Sequence, residues 1–536
     1  MKMNKIYITA LILLYSIQGI SQTIPMFRGN LDHSGVFNSP EISNPVLKWE
    51  YRTGGQIYSS PVVVNNVLYV GSNDSYLYAI NINNGSLNWK FKTGRRIKST
   101  PCVNNETVYF GSFDSTFYAI DAKTGTEKWH FKTGREAVFS AENIFGVKSG
   151  NLKCPDPWDF YSSSPLYYNQ SVYFGSGDSS IYCLNAENGN KIWSYKTKGV
   201  VHSSPAVYNN IIYCGSWDSK IYALDAQTGE LIWDYQTGTD TLRNCFVGIQ
   251  ASPAISDGIV YCGSRDAYMY ALDAKSGKVI WKNKDPYSSW MPSSTAIKDG
   301  HLYSGSSDAL RFYIFDKNNG NIISEYKTGI YTFSSPSVSG NTAYIGAMNG
   351  KLYAFDTNTG FPKWIFSTDA SLNSLYLTKT GDYNNENLND IFEFGMCWEM
   401  TKIIEQIVSS AGSILSSPFI NNGIIYFAST DGSIYALENG NTPSQNIEFF
   451  DFSNFKSEVK SINEINYSFD KTSKVSILVL NEQMKPIKSL VKEEKQGGSY
   501  TASWNGTDEK NMDVATGTYF IKISLGKYAK YYSIEK

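Results

Sequence analysis

Apolar and polar residues alternate in short runs along most of the chain, and the runs are separated by turn dipeptides. In residues 203–238, Ala206 and Tyr208 stand two apart in a short apolar run, Asn209-Asn210 turns the chain, and Ile211 to Cys214 forms a second run. Gly215 to Asp218 then turns into the run Lys220 to Asp225. Gln227-Thr228-Gly229 turns again into Glu230 to Gln236, which carries Trp233. Period-two alternation bounded by such turns predicts four short β-strands in one unit.

That unit recurs. A motif [SA]-[ST]-P has its third residue at Pro61, Pro101, Pro165, Pro205, Pro253, Thr295, Pro336 and Pro418. Ten residues after each stands Gly71, Gly111, Gly175, Gly215, Gly263, Gly305, Gly346 or Ala428. Three further on stands Asp74, Asp114, Asp178, Asp218, Asp266, Asp308, Asn349 or Asp431. Repeats of about 40 residues with four strands each predict an all-β fold, a β-propeller of eight blades.

The tryptophans predict how the ring closes. Trp89, Trp129, Trp193, Trp233, Trp281 and Trp364 lie eighteen residues after their repeat's glycine, and Ser324 takes that place in repeat 6. Repeat 8 lacks this last strand, while a surplus one, LKWEYRTGG, precedes repeat 1. Trp49 lies twelve residues before Pro61, the spacing by which Trp89 precedes Pro101. Residues 47–54 are therefore expected to pair beside Ile434 to Leu437, which leaves no open seam.

The runs AIDAKTGTEKW (119–129), ALDAQTGELIW (223–233), ALDAKSGKVIW (271–281) and AFDTNTGFPKW (354–364) resemble the tryptophan-docking motif of the pyrroloquinoline-quinone (PQQ) repeat superfamily. PMFRGNLDHSGV (25–36) resembles the segment leading into many such propellers. The superfamily includes quinoprotein dehydrogenases and non-enzymatic scaffolds of outer-membrane assembly, so the resemblance implies a fold and leaves the activity open. The repeated acids suit Asx turns more simply than metal ligation.

After an Asn/Pro/Ser-rich linker the repeat motif disappears. Alternation over about six strands, from INYSF to the end, predicts a separate small β-sandwich. Val475 to Leu480, Trp504-Asn505-Gly506 and Gly517-Thr518-Tyr519 resemble the Ig-like sorting domains of type IX secretion substrates. The resemblance implies the secretion machinery as a partner. The expected domains are a signal peptide over 1–21, the propeller over 22–440, and the linker with the sorting domain over 441–536.

The N-terminus supports export: Lys2 and Lys5 precede an apolar stretch from Ile6 to Ile17 and the small-residue site Gly19-Ile20-Ser21. No later stretch is apolar for about 20 residues, so no transmembrane segment is expected. Net charge is −2 and 18% of residues are charged, which gives no nucleic-acid footprint. Of seven cysteines, Cys102, Cys183, Cys214 and Cys262 fall in repeat strands as core packing, while Cys154, Cys245 and Cys397 fall in inserts. The spacings suggest no haem attachment and no zinc site.

Candidate chemistry lies where the repeats are interrupted. Inserts 135–161, 239–249 and 369–413 all join an outer strand to the next inner strand, so they should rise from one face and wall the channel mouth. Three residues before each motif proline the chain reads Tyr58, Lys98, Ser162, His202, Gln250, Pro292, Phe333 and Leu415. Variation there, among nearly fixed neighbours, marks a position facing the mouth. Lys98, Trp158, Asp159, His202, Arg243, Gln250, Trp398 and Glu399 are the expected ligand-binding residues. No catalytic or metal-ligating set is identified.

The expected function is a non-catalytic scaffold holding a glycan, peptide or protein on this face, with no cofactor. The alternative is a quinoprotein dehydrogenase with PQQ and Ca²⁺ in the channel. For that family the resemblance implies vicinal cysteines and metal-binding carboxylates, and no adjacent pair of cysteines is present. A polysaccharide lyase would need a His/Tyr/Arg cluster such as Tyr58, His202 and Arg243.

Overall fold

The computed structural model describes residues 25–536 except 138, 141–152, 155, 157–158, 239–247, 383, 385–396 and 453. Of residues 139–140, 153–154 and 397–403 only the backbone is described. The expected signal peptide thus lies outside the described residues. No described helix is long and apolar enough to cross a membrane.

Each repeat founds one antiparallel sheet. In repeat 4 the order is Ala206–Tyr208, Ile211–Gly215, Lys220–Asp225 and Leu231–Gln236, from inside outward. The last repeat supplies Phe419–Asn421, Ile424–Ala428 and Ser433–Asn439. Its outer strand is Pro45–Arg52, with Trp49 opposite Ala436, as the spacing implies.

The motif hydroxyls tie each sheet to the next. The Ser60 amide donates to Thr100 Oγ1 (3.1 Å), Thr100 to Ser164 (3.1 Å) and Ser164 to Ser204 (2.9 Å). Ser204 donates to Ser252 (2.8 Å), Ser252 to Ser294 (2.9 Å) and Ser294 to Ser335 (3.0 Å). Ser335 then donates to Ser417 (3.3 Å), and Ser417 returns to Ser60 (2.8 Å). A buried amide needs an acceptor. This hoop provides one at every repeat and explains why the middle motif residue carries a hydroxyl.

The outer rim is locked differently. The Trp89 indole donates to Ala122 O (3.0 Å), Trp193 to Ala226 O (3.0 Å) and Trp233 to Ala274 O (2.9 Å), each in the next repeat. The indole packs so closely that a Cβ on Gly229 (φ +75°) would stand 2.6 Å from Trp193, so the turn requires glycine there. Trp364 has no such turn in the last repeat and donates instead to Ile42 O (2.8 Å).

The motif aspartates serve the turns. Asp218 Oδ1 accepts the Lys220 amide (3.1 Å), while Oδ2 accepts the Lys198 amide (2.9 Å) from the preceding repeat and the Tyr222 hydroxyl (2.7 Å).

Residues 25–37 cross the inner strands. Pro25, Leu31, Asp32, Ser34 and Gly35 offer carbonyls to the amides of Val103, Val207, Ile255, Ile297 and Val338, at 2.7–2.9 Å. Arg28 and His33 are buried with this segment, and Arg28 donates to Pro336 O. Burial, then the Arg28 charge, pushes the His33 imidazole down to about 3. His33 is therefore a neutral packed residue.

The C-terminal residues form two facing sheets. One holds Lys456–Ser461, Glu464–Phe469 and Gly498–Ala502; the other holds Ser473–Leu480, Pro486–Lys495, Thr518–Leu525 and Tyr528–Glu535. Trp504, Ile465, Ile477 and Ile521 fill the space between them.

This module is joined to the propeller by strand pairing. Tyr528–Glu535 pairs with Ile322–Lys327, placing Lys530 opposite Ser324 and Tyr528 opposite Tyr326. Ile447–Phe449 likewise pairs with Pro362–Ser367. Repeat 6 is adapted to the contact. Glu325 is buried and receives Lys522 Nζ (2.7 Å), Arg311 Nε (3.1 Å) and the Tyr531 hydroxyl (3.0 Å). Burial alone would raise the Glu325 carboxyl, but Lys522 and Arg311 hold it below its ordinary value. Tyr528 stacks on Phe361 at 3.7 Å between ring centres, and Phe452 on the same ring at 4.2 Å.

Candidate functional site

Six residues at the variable position before the motif proline, Tyr58, Lys98, His202, Gln250, Phe333 and Leu415, gather around a returning segment of the chain itself. The first insert returns through Asp156 and Asp159–Tyr161. The Phe160 ring lies parallel to Tyr58 at 5.9 Å and against Phe333 at 5.7 Å. The Tyr161 hydroxyl donates to Leu415 O (3.0 Å). Tyr58, Phe333 and Leu415 all occupy the variable position, so three of its apolar members grip one aromatic pair.

The polar members hold the carboxylates of the same segment. His202 donates from Nδ1 to Asp159 Oδ2 and from Nε2 to Glu136 Oε1 (2.9 Å). Lys98 Nζ donates to Asp159 O (3.4 Å) and sits 4.8 Å from the centre of the Tyr58 ring. Gln250 Oε1 accepts from Arg265 (2.9 Å), and Arg265 pairs with Asp156. The Arg265 guanidinium also lies 4.1 Å from the Trp217 ring centre and 4.5 Å from Trp290.

Burial alone would lower the His202 imidazole, but Asp159 and then Glu136 outweigh it and hold the ring well above its ordinary value. An imidazolium whose two N–H groups are given to carboxylates has no lone pair with which to accept a proton. His202 in this arrangement is a clamp and not a general base. Burial, then the Arg96 charge, pushes the Lys98 ammonium down to about 8 against the pull of Asp159, Glu405 and Glu136.

The third insert reaches the same mouth through the helix Cys397–Ser410. Arg96 pairs with Glu405 at 3.1 Å, and Gln56 Nε2 donates to Glu405 O (3.2 Å). Residues bounding all three inserts therefore meet on one face.

Lys98, Asp159, His202 and Gln250 are brought together as expected, engaged by the chain rather than facing open space. Trp158 and Arg243 lie outside the described residues. Trp398 and Glu399 lie in the first turn of the helix, and only their backbone is described.

Sequence reading missed Glu136, Arg265 and Trp217. One signal pointed to Trp217 and Arg265: the third residue of the G-S-x-D run reads Asn73, Phe113, Gly177, Trp217 and Arg265 in repeats 1–5, a second variable ring beside the first. A Cβ at Gly177 would stand 1.7 Å from Glu136 Oε2, so this glycine makes room for the carboxylate that reaches His202.

A cleft of about 60 Å³ opens beside this cluster, between repeats 2 and 3, bounded by Phe113, Thr116, Glu136, Ser162, Ser176 and His202. It has space for a few waters. Pockets for drug-sized ligands run to roughly 300–1,000 Å³. The described residues contain no group of three or more His, Cys, Asp or Glu side chains arranged to hold a metal ion. Cys102, Cys183, Cys214 and Cys262 are free and buried within the repeat sheets.

A β-propeller of PQQ-like repeats is thus defined by its sheets and its tryptophan locks. The chain belongs to the PQQ-repeat family described as outer membrane protein assembly factor BamB, which it matches over residues 42–150 and 158–366. No curated protein matches the chain. Among solved structures it is similar to BamB from Moraxella catarrhalis, with 15% identity and a TM-score of 0.54, over 74% of this chain and 99% of that one. It is also similar to quinohemoprotein alcohol dehydrogenase from Comamonas testosteroni, with 14% identity and a TM-score of 0.56, over 79% and 82%. A third similar structure, quinohemoprotein alcohol dehydrogenase ADHIIG from Pseudomonas putida HK5, gives 14% identity and a TM-score of 0.58, over 82% and 84%. Identities this low establish the fold alone.

Proposed function

We propose that the chain is an exported, eight-bladed, non-catalytic scaffold that binds a glycan, peptide or protein partner. Its C-terminal Ig-like module serves the secretion machinery. One observation carries the non-catalytic reading: Phe160 fills the axial mouth between Tyr58 and Phe333, and Asp156 and Asp159 consume the polar groups around it.

A planar quinone in the channel mouth would have to displace Phe160. The described residues offer neither a carboxylate cluster for Ca²⁺ nor a pair of adjacent cysteines to cap the ring. They do not fit PQQ, and no redox step follows from them. The two-carboxylate engagement of His202 argues equally against a lyase base there. Lys98, Asp159, His202 and Gln250 then serve to anchor the mouth. Trp158, Arg243, Trp398 and Glu399, carried by the three inserts in sequence, are the proposed contacts for the partner.

The test is a dye-linked dehydrogenase assay on alcohols and aldoses after incubation with PQQ and Ca²⁺, run beside thermal melts with a polysaccharide and peptide panel. The scaffold reading expects no turnover and stabilisation by a panel member. Quinone-dependent turnover would overturn it.

A further inference from the structure

The edges that carry the C-terminal strands recur, bare, elsewhere on the same propeller. In repeats 6 and 7 an added antiparallel strand pairs at the same three positions: Ser324–Glu325–Tyr326 with Lys530–Ala529–Tyr528, and Trp364–Ile365–Phe366 with Phe449–Glu448–Ile447. Both outer strands carry a bulge just before these positions, and in both the added strand begins beyond it. Here the bulge limits where pairing starts without preventing it.

The outer strand of repeat 5, Val279–Lys284, has the same bulge and offers Trp281, Lys282 and Asn283 at the equivalent places. No strand among the described residues pairs with this edge. Ile322, the repeat-6 residue two before the tryptophan position, is 6% exposed beneath the C-terminal module. Its repeat-5 counterpart Val279 is 42% exposed, and the adjacent Ile280 is 48% exposed. Leu87, Ile192, Leu231 and Ile232 are exposed at these places in repeats 1, 3 and 4 as well, so it is the neighbouring module contact that sets repeat 5 apart.

We propose that the outer edge of repeat 5 is a docking site for an extended strand of a partner protein, one that carries an acidic residue between two large apolar residues. Two observations select this occupant. The edge adjoins the established module contact, where Met484 of the C-terminal sheets lies with Asn283 and Lys284 around a small cavity. Charge supplies the second: the central position is Lys282, exposed and 5.5 Å from the Tyr268 ring centre, which suits a carboxylate opposite it. The chain's own Ile447-Glu448-Phe449 strand has this composition. Main-chain hydrogen bonds would supply affinity, and the acid facing Lys282 would supply selectivity.

The experiment uses the full chain and a labelled peptide of residues 444–450, SQNIEFF, read by fluorescence anisotropy. Saturable binding is expected, weakened at least tenfold by Lys282→Glu and restored when the peptide's glutamate is replaced by lysine. Lys282 is exposed, so the variant should melt like the parent, and circular dichroism checks that it does. No saturable binding, or binding that Lys282→Glu leaves unchanged (as exchange into the repeat-7 edge would), overturns the proposal.

Discussion

The Ser417 amide donates to the Ser60 hydroxyl at 2.8 Å, joining residues 357 positions apart in the sequence. This bond closes the hydroxyl hoop between the last sheet and the first. Ser60 is buried, so Ser60→Ala leaves the Ser417 amide without an acceptor. A cost of about 1–3 kcal/mol is expected, with Ser60→Thr close to neutral. Urea denaturation of the three proteins checks this; equal midpoints for parent and alanine variant would remove the hoop from the account of stability.

The C-terminal module should behave as part of the propeller. Glu325→Ala strands the Arg311 and Lys522 charges in the contact, and breaking a buried pair in this way costs roughly 3–5 kcal/mol. Limited proteolysis should then release a C-terminal fragment faster than from the parent. Unchanged cleavage would mean that strand pairing alone holds the module.

Truncation after residue 440 should secrete poorly, as the sorting-domain resemblance implies, and it should also aggregate. It exposes Tyr326, Phe361 and the pairing edges of repeats 6 and 7, which the module now covers. Light scattering of the refolded fragment and its level in the medium measure the two effects separately. A soluble, normally secreted fragment would count against both roles.

Much of this fold was legible in the sequence because each position is stated many times over. The proline-to-glycine spacing and the surplus Trp49 strand lead to the observed pairing of residues 45–52 with 433–439. The module contact was not legible, since it depends on pairing across some 200 residues. Its one trace was Ser324 in place of tryptophan, now seen opposite Lys530. Nor was the closed mouth. The position of Lys98, His202 and Gln250 could be read from the repeat, but Phe160 sits in an insert that no repeat constrains, and only its packing against Tyr58 and Phe333 reveals its role.

The His202 clamp has a defined pH signature. Its folded value stands well above an unfolded histidine near ~6.5, so its stabilisation is complete below that pH and is lost as pH rises through the folded value. Lys98 also titrates in the alkaline range, with the opposite sign, because its folded value is depressed. It is present in both proteins when the parent is compared with His202→Gln, so it drops out of the difference. The Tm gap between them should be widest at mildly acidic pH and narrow as pH rises through neutral to alkaline. A gap independent of pH would mean that His202 is not held as an imidazolium.

Closure of the axial mouth by Phe160 is the central claim, and titration calorimetry of PQQ into the protein in excess Ca²⁺ tests it most directly. The account predicts no saturable heat with the parent chain. A ligand at 100 times its dissociation constant would add about 2.7 kcal/mol of stability, so a parallel melt should also show no shift. One-to-one binding accompanied by such a shift would contradict the account, because the quinone would then occupy the place assigned here to Phe160.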